Sequence, residues 1–351
     1  MDSNENCQKF AKKHSKLIWT VIFILIALAT IFAVVSHGRS FSLRKLILYI
    51  SHSSNGWIFI SFLCMFGFIY FEGAAILSIC KELGYKKNRR QGIVYSAADI
   101  YFSAITPSAT GGQPASAYFM IKDGIPALAV TAALHFNLLL YTLSIIIIGI
   151  VEFILFYNVF LNFGPLSKFL IVFGFIIQII LMTVFVVLFK KTVVIKKIGF
   201  KVISILSKLH LIKNKEQKYN KLGEITDSYS QYSEIVKKHP KIIFKALAFN
   251  LLQRISVIAV PLFVYLATGG RIIDAKNIFA IQSFAVIGSN TIPIPGAMGV
   301  MDYIMLDGYS KVISYGNTVN FELVSRALSF YICMFLCGII TLLKYLSMKK
   351  R

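Results

Sequence analysis

Long apolar runs alternate with short basic segments along the whole chain. The clearest run, 17-LIWTVIFILIALATIFAVV-35, holds no charged residue. At about 1.5 Å per residue it can cross roughly 30 Å of hydrocarbon. Basic residues precede it, as in a signal peptide, but the run exceeds a typical h-region and no convincing small-residue cleavage site follows, so it reads as a retained anchor. Six runs predict full spans: 17–36, 56–80, 126–150, 168–190, 242–268 and 323–346. Two more apolar stretches, 92–121 and 277–312, are interrupted by proline and glycine. The expected fold class is therefore an all-α integral membrane protein in a single polytopic domain over 1–351.

The loop charges order these elements. Lys9, Lys12, Lys13 and Lys16 place the N-terminus in the cytoplasm, and 81-KELGYKKNRRQ-91 is basic as well. Segment 151–165 has no Lys or Arg and reads as external, whereas the lysine-rich stretch from 190 to 221 and the tail 344-KYLSMKKR-351 read as internal. Arg39, Arg44 and Lys45 in the external segment 36–55 run against the rule. By parity, 92–121 enters and leaves on the cytoplasmic side, and 277–312 does so on the external side. Residues 56–150 and 242–346 then form two repeats of opposite orientation, each with a broken helix, the pattern that points to a transporter-like midplane site. The basic connection 191–241 is either a set of amphipathic helices on the anionic membrane surface or a solvated linker.

Composition agrees: 57% of the 351 residues are hydrophobic and 15% charged. The net charge of +22 would suggest nucleic acid in a soluble protein. Here the basic residues sit between spans and report topology and attraction to anionic lipid, so no nucleic-acid partner is expected. Cys7, Cys64, Cys80, Cys333 and Cys337 make no metal or redox spacing. No Walker sequence, nucleophile elbow or metal-ligand cluster occurs, so no cofactor, metal or catalytic residue is expected.

The candidate chemistry lies in the interruptions. Irregular backbone at membrane depth costs several kcal/mol per unsatisfied group unless protein or a wet cavity satisfies it, roughly as for any buried polar group. In 106-TPSATGGQP-114, Pro107 and Pro114 lack amide donors, and Gly111 and Gly112 permit close approach. Thr106, Ser108, Thr110 and Gln113 offer polar side chains. Its counterpart, 290-NTIPIPGAMGVMDYIM-305, supplies Asn290, Thr291, Pro293, Pro295, Gly296, Gly299 and Asp302. Either turn presents free amides to a lipid phosphate or simply joins two short helices. Ionisable groups in apolar runs add Glu72, Asp99, Arg254 beside Gln253, and Glu322 with Arg326. Asp302 is expected to bind a substrate amine or pair with a basic group of the other half, and Arg254 and Arg326 to meet a phosphate or pair with Asp99, Glu72 or Asp302. His135, near Asn137, reads as a packing histidine.

These motifs carry a resemblance. The segments 106-TPSATGGQP-114 and 292-IPIPGAMGVMD-302, with Arg326 and the aromatic-rich helix after it, resemble the lysylphosphatidylglycerol synthase transmembrane region, the flippase-like membrane half of the bacterial multiple peptide resistance factor. The resemblance covers nearly the whole chain. It implies a multi-pass protein of a bacterial cytoplasmic membrane, with both termini cytoplasmic, that moves aminoacylated phosphatidylglycerol between leaflets and so lowers surface negative charge. The implied partner is an anionic or aminoacylated phospholipid, and a homo-oligomer is compatible with it. The chain ends at Arg351 soon after its last span, so a stand-alone member without the soluble synthase domain is expected. Gln113 and Asp302 stand where many relatives carry glutamate, which leaves the headgroup preference open. Two alternatives stand: a phosphatidylglycerol lysyltransferase, alone or as a subunit, and a lipid-binding scaffold that does not transport.

Overall fold

Every long apolar run that the structure describes is helical. The computed structural model describes residues 53–106, 109–190, 192–208, 238–313 and 315–349, with isolated positions elsewhere. The expected span 17–36 and residues 107 and 108 lie outside them. The described residues form twelve helices: α1 (Asn55–Glu82), α2 (Arg89–Ile105), α3 (Gly112–Lys122), α4 (Ala127–Leu155), α5 (Tyr157–Leu161), α6 (Pro165–Lys190), α7 (Thr192–Lys208), α8 (Pro240–Ala267), α9 (Ile272–Ser289), α10 (Val300–Tyr309), α11 (Tyr315–Arg326) and α12 (Cys333–Lys349). A π-helical stretch, Ala327–Ile332, joins α11 to α12. No strand occurs among the described residues.

Five stretches are long and apolar enough to cross a membrane: Asn55–Glu82, Ala127–Leu155, Pro165–Val187, Pro240–Ala267 and Asn317–Met348. They correspond to five of the six expected spans. The differences lie at the ends. Segment 151–165, expected as a loop, continues α4 to Leu155 and adds the short α5. The last span begins at Asn317 rather than 323, because the π stretch carries the chain from α11 into α12 without a break. Large side chains such as Phe59, Ile154, Phe169 and Phe335 point outward, each more than 60% exposed, as a lipid-facing surface requires. Burial ranks the spans: 44% of the apolar window in α8 is buried but only 17% of that in α6, so α8 is central and α6 peripheral.

Helices α1 and α8 pack antiparallel along their full length. Trp57 stacks on Phe263, the Ser61 hydroxyl donates to the Val260 carbonyl, Gly67 lies against Ser256, and Phe71 stacks on Phe249. The ends are tied as well: the Ser54 amide donates to the Ala267 carbonyl at 2.8 Å, and His239 meets Glu82 at 3.2 Å. Helix α2 approaches α1 through glycine. A Cβ on Gly73 would lie 2.5 Å from the Gly92 carbonyl oxygen, and the Ser96 hydroxyl donates to the Ile69 carbonyl. Gly92, Ser96 and Asp99 recur at helical spacing on one face of α2, so this approach carries Asp99 to Glu72.

Each interrupted stretch holds two α-helices and a short tip between them, the second tip with a 3-10 turn at Pro295–Ala297. The open ends of the α2–α3 pair meet. Asp123, just after α3, accepts hydrogen bonds from Gln91 and Tyr95 of α2 and an ion pair from Lys344 of α12 at 3.1 Å. Lys87 donates to the Asp123 backbone carbonyl. This pair therefore starts and finishes at the end of the molecule that also carries Glu82 and Lys344. The α9–α10 pair starts and finishes at the other end. Ile272 follows α8 after a short turn, the Gly164 amide donates to Asp307 at 2.8 Å, and Tyr309 and Tyr265 both pack on Phe321.

The Asp123 clasp has a pH signature. Partial burial opposes ionisation of its carboxyl, but the bonds from Lys344, Tyr95 and Gln91 outweigh it and hold the group below the usual carboxylate range. A carboxyl depressed by folding adds stability above its unfolded pKa, near ~3.9, and loses it as pH falls through the folded value. Asp123→Asn is therefore expected to lower thermal stability in detergent at neutral pH and to flatten its decline below about pH 4. An unchanged pH profile in the variant counts against the clasp.

Candidate functional site

Both tips reach one central cavity of about 600 Å³, within the usual size of a small-molecule site. Thr110 and Gln113 line it from the first tip, and Asn290, Thr291 and Gly296 from the second. Arg254 of α8, Tyr141 of α4 and Gln178 of α6 close its walls.

The first tip is built by local rules. Thr106 precedes proline, which disfavours the helical region, and its backbone is extended (φ −111°, ψ 144°), so α2 ends at Ile105. The Thr106 hydroxyl donates to the Phe102 carbonyl and accepts from the Gly111 amide at 2.9 Å, which closes the turn. Gly112 then starts α3 against α2: a Cβ there would lie 2.0 Å from both the Asp99 carboxylate and the Ser103 hydroxyl. Gly112→Ala is expected to cost about 1–3 kcal/mol by overpacking and to displace Asp99. Gly56→Ala, which meets nothing within 4 Å, serves as the neutral control, and thermal unfolding of both reads the difference.

Glu72 and Asp99 come together beneath this tip, and both are buried. Asp99 accepts from Ser103 and from the Gln113 amide, each at 3.1 Å, while Glu72 accepts from Gln253 at 3.1 Å. Arg254 donates from Nε to the Gln253 side chain at 3.1 Å, and its guanidinium carbon lies 4.4 Å from the Tyr141 ring centre and 5.1 Å from that of Phe68. This arginine is 8% exposed, yet among the described residues no carboxylate lies within ion-pair distance and no hydrogen bond engages its terminal nitrogens. Two aromatic faces hold the plane by cation–π attraction and leave the guanidinium fork open to the cavity. Tyr141 in turn donates to Asn290 of the second tip at 2.8 Å.

The second tip is organised by a different arginine. Gly296 (φ 58°), Ala297 (φ 50°) and Gly299 (φ 81°) adopt left-handed backbone. A Cβ on Gly296 would lie 2.2 Å from the Phe330 ring, so only glycine fits there. Arg326 donates from Nη2 to the Gly296 carbonyl at 3.2 Å and pairs through Nε with Asp302 at 2.7 Å, and its plane rests 4.8 Å from the Phe330 ring centre. The other Asp302 oxygen accepts from the Gly299 amide and so caps α10. Glu322 is buried beside Asp302 and Arg326. Directly after Arg326 the π stretch begins, a bulge that recurs at functional positions in helices and here keeps Phe330 under the tip.

The cavity, the two tips and the charged clusters lie inside the stretch matched by the model of one protein family, Lysylphosphatidylglycerol synthase TM region, over residues 18–337. The chain belongs to this family. It is a multi-pass membrane protein associated with membrane lipid. No curated protein and no solved structure matches it.

Within this family member the sequence-derived site residues divide by position. Asp99, Gln113, Arg254, Asn290, Gly296 and Arg326 line the cavity. Thr106, Gly111, Gly112, Pro293, Pro295, Gly299 and Asp302 instead shape the tips, and Ser108 lies outside the described residues. Asp302 pairs with Arg326 of its own half rather than with a basic group of the other half, because the tip folds back onto the start of the last span. His135 packs edge-on against Phe185 in a hydrophobic setting. Sequence reasoning missed Phe68, Tyr141 and Gln178. Gln178 had a signal, as the single side-chain amide in the apolar run 168–190. It lines the cavity wall but is 1% exposed, and among the described residues its buried amide nitrogen has no hydrogen-bond partner.

Proposed function

We propose that the cavity binds the headgroup of an aminoacylated phospholipid of the lysyl-phosphatidylglycerol class and passes it between leaflets. One observation carries this reading: an uncommitted guanidinium fork stands beside a buried acid pair in a single cavity. The fork suits a phosphate, which it engages bidentately. The acids Glu72 and Asp99 suit an ammonium group. Gln113, Gln178 and Asn290 add uncharged hydrogen-bonding groups around the remainder. We read residues 56–150 and 242–346 as inverted repeats, because each contributes one broken helix and the two enter from opposite ends. Rocking one pair against the other then opens the cavity to one leaflet at a time, with the lysine-rich end toward the cytoplasm.

The test is transport of fluorescently labelled lysyl-phosphatidylglycerol in proteoliposomes, read as protection from an impermeant quencher. Faster loss of sidedness than in protein-free vesicles is the expected result, and equal rates overturn the proposal. Lysyl-phosphatidylglycerol made in cells that express this chain and no other synthase moves the assignment to the transferase reading.

A further inference from the structure

Glu72 and Asp99 are both buried and line the same cavity, brought together where α1 and α2 touch at Gly73 and Gly92. Two carboxylates buried side by side with a single cation, Arg254, do not both ionise, so one of the two holds a proton. The surroundings fit that state. Among the described residues three donors reach the pair, Ser103 and Gln113 at Asp99 and Gln253 at Glu72, and with Arg254 they hold the remaining carboxylate ionised. The charged and titratable groups facing the pair are Arg254 from α8, the Tyr141 phenol from α4 and the Cys337 thiol from α12. Arg326 lies on the cavity wall. With one proton on the pair and Arg254 charged, this corner of the cavity is neutral.

A bound lipid changes that balance according to its own charge. Lysyl-phosphatidylglycerol carries one phosphate and two amines, net about +1 at neutral pH, whereas phosphatidylglycerol is about −1 and its alanyl ester about zero. Neutrality in a low-dielectric cavity is restored for the lysyl lipid only if the shared proton leaves. We infer that the Glu72–Asp99 pair holds one exchangeable proton, displaced by a lipid of net positive charge, so that proton and lipid occupy the pair alternately and move in opposite directions. The carboxyl O–H bond breaks, its proton passes to water in the cavity as hydronium, and the freed carboxylate accepts an N–H hydrogen bond from the lipid ammonium. No electron is transferred.

This inference rests on the headgroup site proposed above, and its test separates the two. Lysyl-, alanyl- and unmodified phosphatidylglycerol are titrated onto the protein in phosphatidylcholine nanodiscs. Calorimetry in buffers of different ionisation enthalpy counts the protons released. The lysyl lipid is expected to release about one proton, with affinity rising about tenfold per pH unit while the pair is protonated. The other two lipids are expected to release none. Glu72→Gln and Asp99→Asn, each checked for an unchanged elution profile and melting temperature, should lose the release and the pH dependence. Binding of the lysyl lipid with no release, or with release unchanged in both variants, overturns the inference. Proton release in a protein that moves no lipid overturns transport and leaves the exchange standing, and failure of the lysyl lipid to bind overturns both.

Discussion

Arg254→Ala is expected to abolish most headgroup affinity while leaving the helix bundle assembled. Among the described residues this guanidinium has no carboxylate within ion-pair distance, and its hydrogen bond goes to the adjacent Gln253 while Phe68 and Tyr141 hold its plane. Its loss therefore breaks little of the fold. A lipid phosphate in the cavity would lose its cation, and truncating one partner of a buried charge pair costs about 2–5 kcal/mol, roughly thirtyfold or more in affinity. Arg254→Lys keeps the charge but not the fork or the flat face between two rings, so an intermediate loss is expected. Nanodisc binding of lysyl-phosphatidylglycerol measures both variants, and thermal unfolding separates binding from folding. Equal affinity in the alanine variant removes Arg254 from the site.

Much of the architecture was legible because the membrane simplifies the code. A run of about twenty apolar residues has few alternatives to a spanning helix, and the runs at 56–80, 126–150, 168–190, 242–268 and 323–346 are all helical. The interruptions were visible for the same reason, since proline and glycine at membrane depth need compensation, and the Thr106 bonds to Phe102 and Gly111 show how it is supplied. The pairing of charges was legible only as alternatives: Arg326 with Asp302 was one of several, and Glu72 beside Asp99 was not among them. Asp99 and Glu72 are twenty-seven positions apart and meet only because Gly73 and Gly92 let two backbones touch. The role of Tyr141 was hidden too: in an apolar run a tyrosine is ordinary, and only the fold sets its ring against Arg254 and its hydroxyl against Asn290. Sequence order therefore marked the interruptions, and helix contact decided which side chains face one cavity.

The two arginines of the cavity are used differently, and this predicts opposite outcomes. Where Arg254 is uncommitted, Arg326 is held on three sides: 3% exposed, paired with Asp302, bonded to the Gly296 carbonyl and resting on Phe330. It acts as the clamp that holds a tip whose left-handed residues have little regular bonding of their own. Arg326→Ala removes that clamp and leaves Asp302 and Glu322 side by side without their cation. Asp302 is 23% exposed, so the loss of about 3–5 kcal/mol on breaking a fully buried pair is an upper bound. With the Gly296 bond lost as well, this substitution is expected to give the largest stability loss of those considered, read as a lowered melting temperature in detergent. Residual binding, measured per folded molecule, should fall less than in Arg254→Ala. Asp302→Ala should cost less than Arg326→Ala, because Glu322 remains beside the guanidinium. In a double-mutant cycle the two substitutions should couple by about 0.5–3 kcal/mol. Additive losses would show that Arg326 acts without Asp302. Ile294→Cys, at a position already 40% exposed, offers a second measure: its modification rate should rise when Arg326 is lost and stay unchanged when Arg254 is lost, since Arg326 bonds the tip backbone directly.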